Sequence, residues 1–278
     1  MSAGVFLAVM LAAGLHAAWN AIIRFGDDKV QGMLLLSTTQ GLMGLALALF
    51  LPWPNGETWL WLAASTILHT SYKVFLTSAY TRGDLSRVYP IARGTAPMIV
   101  ALSGALVLAD VVSARQYLGI FMLGGGILMM ARGVFSAGES RKLLPFAFAS
   151  ALTTAGYSLV DGVGARISGE ATVFVAWLFF LDGCLFAVWA LGMRGWRVVP
   201  MRAGLWGLGT VAGAASYGAY WIVVWAMTVA PIALVAALRE TSVLFAVAIG
   251  IYFFREKAEL GKLLAAGLIV AGIVVMRI

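Results

Sequence analysis

Charge is scarce in this chain: Asp, Glu, Lys and Arg together make up 11% of its 278 residues, while 62% are hydrophobic. A soluble domain carries roughly 25% charged residues, so this balance excludes a water-soluble fold and implies an all-α integral membrane protein. Cysteine is scarcer still. The single Cys184 lies inside an apolar run. That excludes an intrachain disulfide framework and a thiolate metal site, and it reads as a small packing residue. The two histidines, His16 and His69, stand far apart, with no His-x-x-x-His metal spacing and no paired-acid motif beside them. The glycines of GGGILMMAR lack the Lys-Ser/Thr that completes a phosphate-binding loop. No metal, cofactor, ATP hydrolysis or other enzymatic activity is therefore expected. No basic n-region or small-residue cleavage site precedes the first apolar run, which reads as a retained helix rather than a signal peptide.

What is present is a succession of apolar runs, each near the 20 residues that cross a bilayer. Ten spans are expected, at about 3–23, 32–52, 58–80, 87–109, 114–132, 145–165, 171–192, 204–227, 232–253 and 259–276. With no water in the bilayer core, backbone groups must pair within each segment, so the spans are helices. Turn-formers and charges fill the connectors, as in PWPNGET, TRGDLSR, GVFSAGESRKL and MRGWRVVPMR. The net charge of +7 is a matter of topology rather than nucleic-acid binding. Thirteen Lys and Arg lie in or beside the odd-numbered gaps, against Arg115, Arg166 and Arg277 in the even gaps and at the ends. Positive loops stay cytoplasmic, so both termini are expected outside.

The halves of the chain match weakly when one is slid over the other. At an offset of 146, Arg93 meets Arg239, Thr95 meets Thr241, Gly104 meets Gly250, Asp110 meets Glu256, and Gly126-Ile127 meets Gly272-Ile273. At 145, Ser71-Tyr72 meets Ser216-Tyr217, and at 138, Trp19-Asn20 falls on Tyr157-Ser158. Five helices is an odd number, so a second copy must enter the membrane in the opposite sense. The expected organisation is a first five-helix repeat over 1–135, a linker at 136–144 and an inverted second repeat over 145–278, a plan that suits alternating access about a midplane site.

The stretches HAAWN, DLSRVYPIARGTAP, AGYSLVDGVGAR and ALRETSVLFA resemble the EamA-type members of the drug/metabolite transporter superfamily, in particular a subgroup sometimes associated with phosphonate utilisation. The resemblance spans essentially the whole chain. It implies a ten-helix bundle of two inverted repeats around a central cavity that moves small metabolites, often outward. Many members of the superfamily are held to have cytoplasmic termini, and the charge bias here argues the reverse.

Ionisable groups inside a membrane are costly and face a cavity or a partner. On the first span His16, Trp19 and Asn20 share a stripe. On the third, His69, Tyr72, Lys73, Leu76 and Tyr80 share a face, with Lys73 too deep to snorkel. The fourth carries Tyr89 and Arg93 between Pro90 and Pro97, which are expected to kink it. The sixth carries Tyr157 and Asp161, and the eighth Tyr217, Tyr220 and Trp221 beside a Gly209/Gly213 packing face. On the ninth, Arg239 and Glu240 are adjacent, about 100° apart on a regular helix, so they are expected to face different neighbours. Gln40 and Asp182 look isolated and are assigned to packing. Three deep cations and three deep anions leave mutual neutralisation open as an alternative to a binding site.

The expected substrate-binding set is His16, Trp19, Asn20, Tyr72, Lys73, Arg93, Tyr157, Asp161, Tyr217, Trp221, Arg239 and Glu240. The expected function is secondary transport of a small polar or amphipathic metabolite (an amino acid, amine or aminophosphonate) across the inner, or plasma, membrane, as proton-coupled efflux. Uptake or exchange by the same fold is the alternative, followed by a lipid-head-group enzyme or a structural subunit. The partners are the small-molecule substrate, the lipid bilayer and protons, with the chain a monomer or homodimer.

Overall fold

The computed structural model of the chain describes residues 1–23, 28–80, 85–130, 144–255 and 259–278, and the regular secondary structure there is helical throughout. The side chain of Tyr89 and the linker at 136–143 lie outside the described residues. In chain order the helices are α1 (Ala3–Ile23), α2 (Lys29–Ala48), α3 (Gly56–Tyr80), α4 (Leu85–Val107), α5 (Ala114–Met129), α6 (Leu144–Ser168), α7 (Ala171–Arg194), α8 (Ala203–Val229), α9 (Ile232–Arg239), α10 (Ser242–Phe254) and α11 (Leu260–Arg277). Ten spans result, because α9 and α10 together make the ninth. Six candidate spans satisfy strict limits of length and apolarity. Among the other four, α5 falls short in length at 16 residues, and polar residues of α3, α6 and α8 build the interior described below.

The distribution of side chains is that of a bundle in lipid. Large apolar groups such as Leu7, Leu11, Leu60, Leu106, Val188 and Leu263 are exposed on the outside, whereas Lys73, Arg93, Asp161, Asp182, Arg239 and Glu240 are buried. Lipid tails are as apolar as leucine, so the helices associate through close packing and polar contacts rather than through water exclusion. Small residues permit the closest approaches. A Cβ added to Gly119 would stand 2.6 Å from the Gly272 carbonyl oxygen, and one added to Gly272 would stand 2.7 Å from that of Gly119, so α5 and α11 touch backbone to backbone. Gly41, Gly44 and Gly183 do the same for α2 and α7. The expected Gly209/Gly213 face packs against Leu35 and Thr39 of α2.

The neighbour relations have an internal symmetry. The main contacts are α5 with α11, α2 with α7, α3 with α6, and α1 with α8. Exchanging each span with the one five places away returns the first two pairs to themselves and converts the third into the fourth. Span four, where two prolines suggest a kink, is a continuous helix over Leu85–Val107 with Pro90 and Pro97 inside it. Membrane helices tolerate proline because neighbouring groups satisfy the freed backbone. Span nine, expected unbroken over 232–253, is the one that breaks, at Glu240 and Thr241.

One polar clasp fixes where span nine begins. Arg166, near the end of α6, donates to both carboxylate oxygens of Asp110 at 2.8 and 3.1 Å and to the carbonyls of Met227 and Ala230 at 2.8 and 3.0 Å. Asp110 in turn accepts from the Ile232 backbone N–H at 2.8 Å. The loops before α5 and α9 are thereby tied to α6, and the first turn of α9 gains an acceptor for one of its otherwise unpaired N–H groups.

Candidate functional site

The break in span nine is built from tightened hydrogen bonds. The Glu240 N–H donates to the Ala237 carbonyl at 3.0 Å and the Thr241 N–H to that of Leu238 at 3.0 Å; beyond the break, Val243 N–H donates to Glu240 at 3.1 Å. These i→i−3 contacts wind the chain into a short 3₁₀-like turn. The Thr241 hydroxyl adds a bond to the Leu238 carbonyl at 2.7 Å, and the Ser242 hydroxyl, 1% exposed, has no hydrogen-bond partner.

The turn corrects the expectation that Arg239 and Glu240 face different ways. On a regular helix they would diverge by about 100°. Here the helix ends at Arg239, and its Nε and Nη2 both donate to Glu240 Oε1, at 3.1 and 3.0 Å. Arg93 of α4 approaches from the other side, donating through Nη1 to Oε1 at 3.3 Å and Oε2 at 3.2 Å. Arg93 is the ninth residue of α4 and Arg239 the eighth of α9. At 1.5 Å per residue each lies about 12 Å from the start of its own span. The two spans run in opposite senses, so the arginines meet near mid-membrane.

His16 completes this cluster. Its Nε2 is 2.6 Å from Arg93 Nη2, and its Nδ1 accepts from the Trp19 indole at 3.3 Å. Guanidinium and indole nitrogens are donors only, and a neutral imidazole offers one acceptor nitrogen. An imidazolium, with both nitrogens protonated, has no place between these two donors. Asn20 turns its carboxamide back on its own helix, donating to the His16 carbonyl at 2.8 Å.

Tyr157 links this cluster to a second one. The Arg239 guanidinium lies 5.4 Å from the Tyr157 ring centre, and His69 stacks on the same ring at 4.1 Å. Asp161, fully buried one turn further along α6, is 2.8 Å from His69 Nε2 and accepts from the hydroxyls of Ser65 and Tyr220. Tyr72 packs edge-on against Tyr157 at 5.7 Å. Thus nine side chains from six spans form a continuous polar path: Trp19, His16, Arg93, Glu240, Arg239, Tyr157, His69, Asp161 and Tyr220.

Three expected members stand elsewhere. Lys73 points from α3 to Asp182 of α7, with Ser37 of α2 accepting from Lys73 at 2.7 Å and Thr70 donating to Asp182 at 3.1 Å. Asp182, assigned to isolated packing from the sequence, is thus the counter-ion of Lys73. Tyr217 packs on Phe179 at 5.1 Å, its hydroxyl without a hydrogen-bond partner. Trp221 is 36% exposed and donates to Thr172 at 3.1 Å, on the outside of the bundle. Gln40 donates to Ser216 at 3.0 Å, which joins α2 to α8. His69 and Tyr220, named on their helix faces, are left out of the expected binding set, and Ser65 is not singled out. Their signal was present, since Ser65, His69 and Lys73 recur every four residues on α3.

Comparison with known proteins agrees with this architecture. The model of the EamA-like transporter family matches residues 141–278. This chain belongs to the EamA-like transporter family. It is therefore a multi-pass membrane protein and a transporter of the drug/metabolite type, a class that fits the absence of catalytic motifs. Among 29 matching solved chains is one described as "Crystal structure of protein". It superposes with a TM-score of 0.76 over 98% of this chain and 94% of its own length, at 17% identity, which establishes a shared fold. No curated protein matches the chain.

Proposed function

We propose that this EamA-like transporter carries a small zwitterionic metabolite, an amino acid or an aminophosphonate, by proton-coupled efflux across the inner, or plasma, membrane. The observation that carries the reading is the convergence of Arg93 and Arg239 on Glu240 at a mid-membrane helix break, with His16 against Arg93. Discontinuous helices at the midplane are where transporters of inverted-repeat design bind substrate. Guanidinium forks suit the planar or tetrahedral oxygens of a carboxylate or phosphonate. The aromatic faces of Tyr157, Tyr72 and Tyr220 beside Asp161 suit an ammonium group. A zwitterion uses both ends of the polar path and leaves no charge unpaired.

The same reading treats the chain as two inverted repeats, 1–135 and 145–278, and puts both termini outside. The symmetric exchange of packing pairs and a family model that covers the second half alone support the first statement. The thirteen-to-three charge bias supports the second. Whether the working unit is a monomer or a homodimer, the path lies within one chain.

The test is a ligand screen of purified protein against amino acids, amines and aminophosphonates by thermal shift, followed by flux into vesicles of known orientation with and without a pH gradient. Zwitterions should stabilise the protein and move outward at a rate that responds to the pH gradient. Stabilisation by monoamines alone would refute the anion-binding half of the site, and inward flux would reverse the direction. Cysteines at Ser2 and Ile278, with Cys184 replaced, should react with an impermeant thiol reagent added from outside.

A further inference from the structure

We propose that Glu240 is an internal stand-in for the substrate's anionic group, and that substrate and a proton exchange with it in a single step. This rests on the reading of Arg93 and Arg239 as the anion-recognition pair. In the conformation seen, both guanidiniums are occupied by one carboxylate, which accepts from three of their nitrogens at 3.0–3.3 Å while wholly buried. A substrate carboxylate or phosphonate needs the same donors, so it enters only as Glu240 leaves. An anion removed from its cations and left buried is unstable by several kcal/mol. Glu240 therefore takes up a proton from water as it leaves. One anion and one proton enter together, one carboxylic acid forms, and the charge inside the cluster is unchanged.

The surroundings single out Glu240 for this role. Arg93 from α4 and Arg239 contact it directly; His16 from α1 lies behind Arg93, Tyr157 from α6 behind Arg239, and Asp161 from α6 further along the path. His69 of α3 and Tyr220 of α8 reach the same path, and α5 brings only Arg115 and Tyr117 near its first turn. His16 stands between two donor-only groups, Trp19 and Arg93, and protonation would remove the one acceptor nitrogen that a neutral imidazole offers them, so it is a poor proton acceptor. Asp161 is held by Ser65, His69 and Tyr220 and does not occupy the arginine pair, so an arriving anion has no reason to displace it. Glu240 also sits on the 3₁₀-like turn, where the helix is already interrupted and a side chain can swing without breaking a regular hydrogen-bond ladder. The unpartnered Ser242 hydroxyl, two residues on, provides a buried polar group with capacity to bond an incoming oxygen.

Acetate is a suitable probe because it stays ionised between pH 6 and 8. Its apparent Kd for the wild-type protein in detergent, measured by calorimetry, should weaken about tenfold per pH unit, the signature of one proton taken up per anion bound. For Glu240→Gln the profile should be flat. Glu240→Ala leaves a carboxylate-sized gap between two arginines, and formate should raise its Tm saturably where chloride at equal ionic strength does not. A flat wild-type profile with binding intact, or an unchanged slope in Glu240→Gln, would overturn the exchange while leaving anion recognition standing. Failure of acetate to bind either protein, with no formate rescue, would overturn both. Should Glu240→Ala not fold even in formate, the two acetate slopes decide.

Discussion

Two of the charged clusters buried among the described residues differ in stoichiometry. Around Lys73 one ammonium meets one carboxylate, and each partner has one further hydroxyl, from Ser37 and Thr70 respectively. Around Glu240 two guanidiniums share one carboxylate at a break in the helix. The first arrangement is closed, with every strong group matched by another on a neighbouring helix. The second holds its acceptor in competition between two forks and sits where the backbone is already irregular. Burial alone therefore does not distinguish a structural ion pair from a binding site; the balance of donors and acceptors does.

The sharpest way to break this comparison is to remove one anion at a time. Asp182→Ala strands a buried ammonium and should destabilise the protein by about 3–5 kcal/mol. Replacing the pair together, as Lys73→Met with Asp182→Leu, should recover most of that loss and leave ligand binding intact. The corresponding double change at the other cluster, Arg93→Met with Glu240→Leu, should also recover a folded protein but abolish anion binding. Unfolding in detergent and calorimetry with a zwitterionic ligand separate these outcomes. If the Lys73/Asp182 double variant folds but no longer binds, both clusters belong to the site.

Within the Glu240 cluster the expected effects are smaller. Arg93→Gln keeps one fork on Glu240 and should weaken binding of an anionic group by about 2 kcal/mol, the scale of a charge-assisted hydrogen bond. Tyr220→Phe removes one donor to Asp161 and one contact to His69, and should cost about 1 kcal/mol of stability. Equal losses of binding in the two variants would show that the whole path, rather than its arginine end, recognises the anion.

Hydropathy made the ten spans legible because each helix must be apolar on its lipid side, and the same pressure made the deep charges stand out. Their pairing was not legible. Lys73 and Asp182 are 109 positions apart, and Arg93 and Glu240 are 147 apart, so nothing local announces either contact. The break in span nine was not legible for a related reason. Pro90 and Pro97 are local signals and lie inside a continuous α4. Near Glu240, ALRETSV contains neither proline nor glycine, and the turn there coincides with contacts made by a helix almost 150 residues away. Asp161 was found from its depth on α6, but its partners Ser65 and Tyr220 are ordinary residues whose role appears only when α3, α6 and α8 are brought together.

The smallest effects belong to a third ion pair, which tests whether distance carries the argument. Arg194 donates to Asp28 at 2.7 Å, shorter than the 3.0–3.3 Å between the arginines and Glu240, yet the two side chains are 42% and 41% exposed. Water and salt screen such a pair, and exposed ion pairs contribute about 0–1 kcal/mol. Asp28 has a second task, since its side chain accepts from the N–H groups of Val30 and Gln31 at the start of α2, at 2.9 and 3.2 Å. Loss of such a cap costs about 1 kcal/mol. Asp28→Ala should therefore destabilise by about 1 kcal/mol and Arg194→Ala by only a few tenths, with the second effect vanishing at high salt. Measured side by side, a loss in Arg194→Ala as large as that in Asp28→Ala, and insensitive to salt, would mean that this surface pair behaves like the buried ones and that stoichiometry and burial are the wrong criteria for separating them.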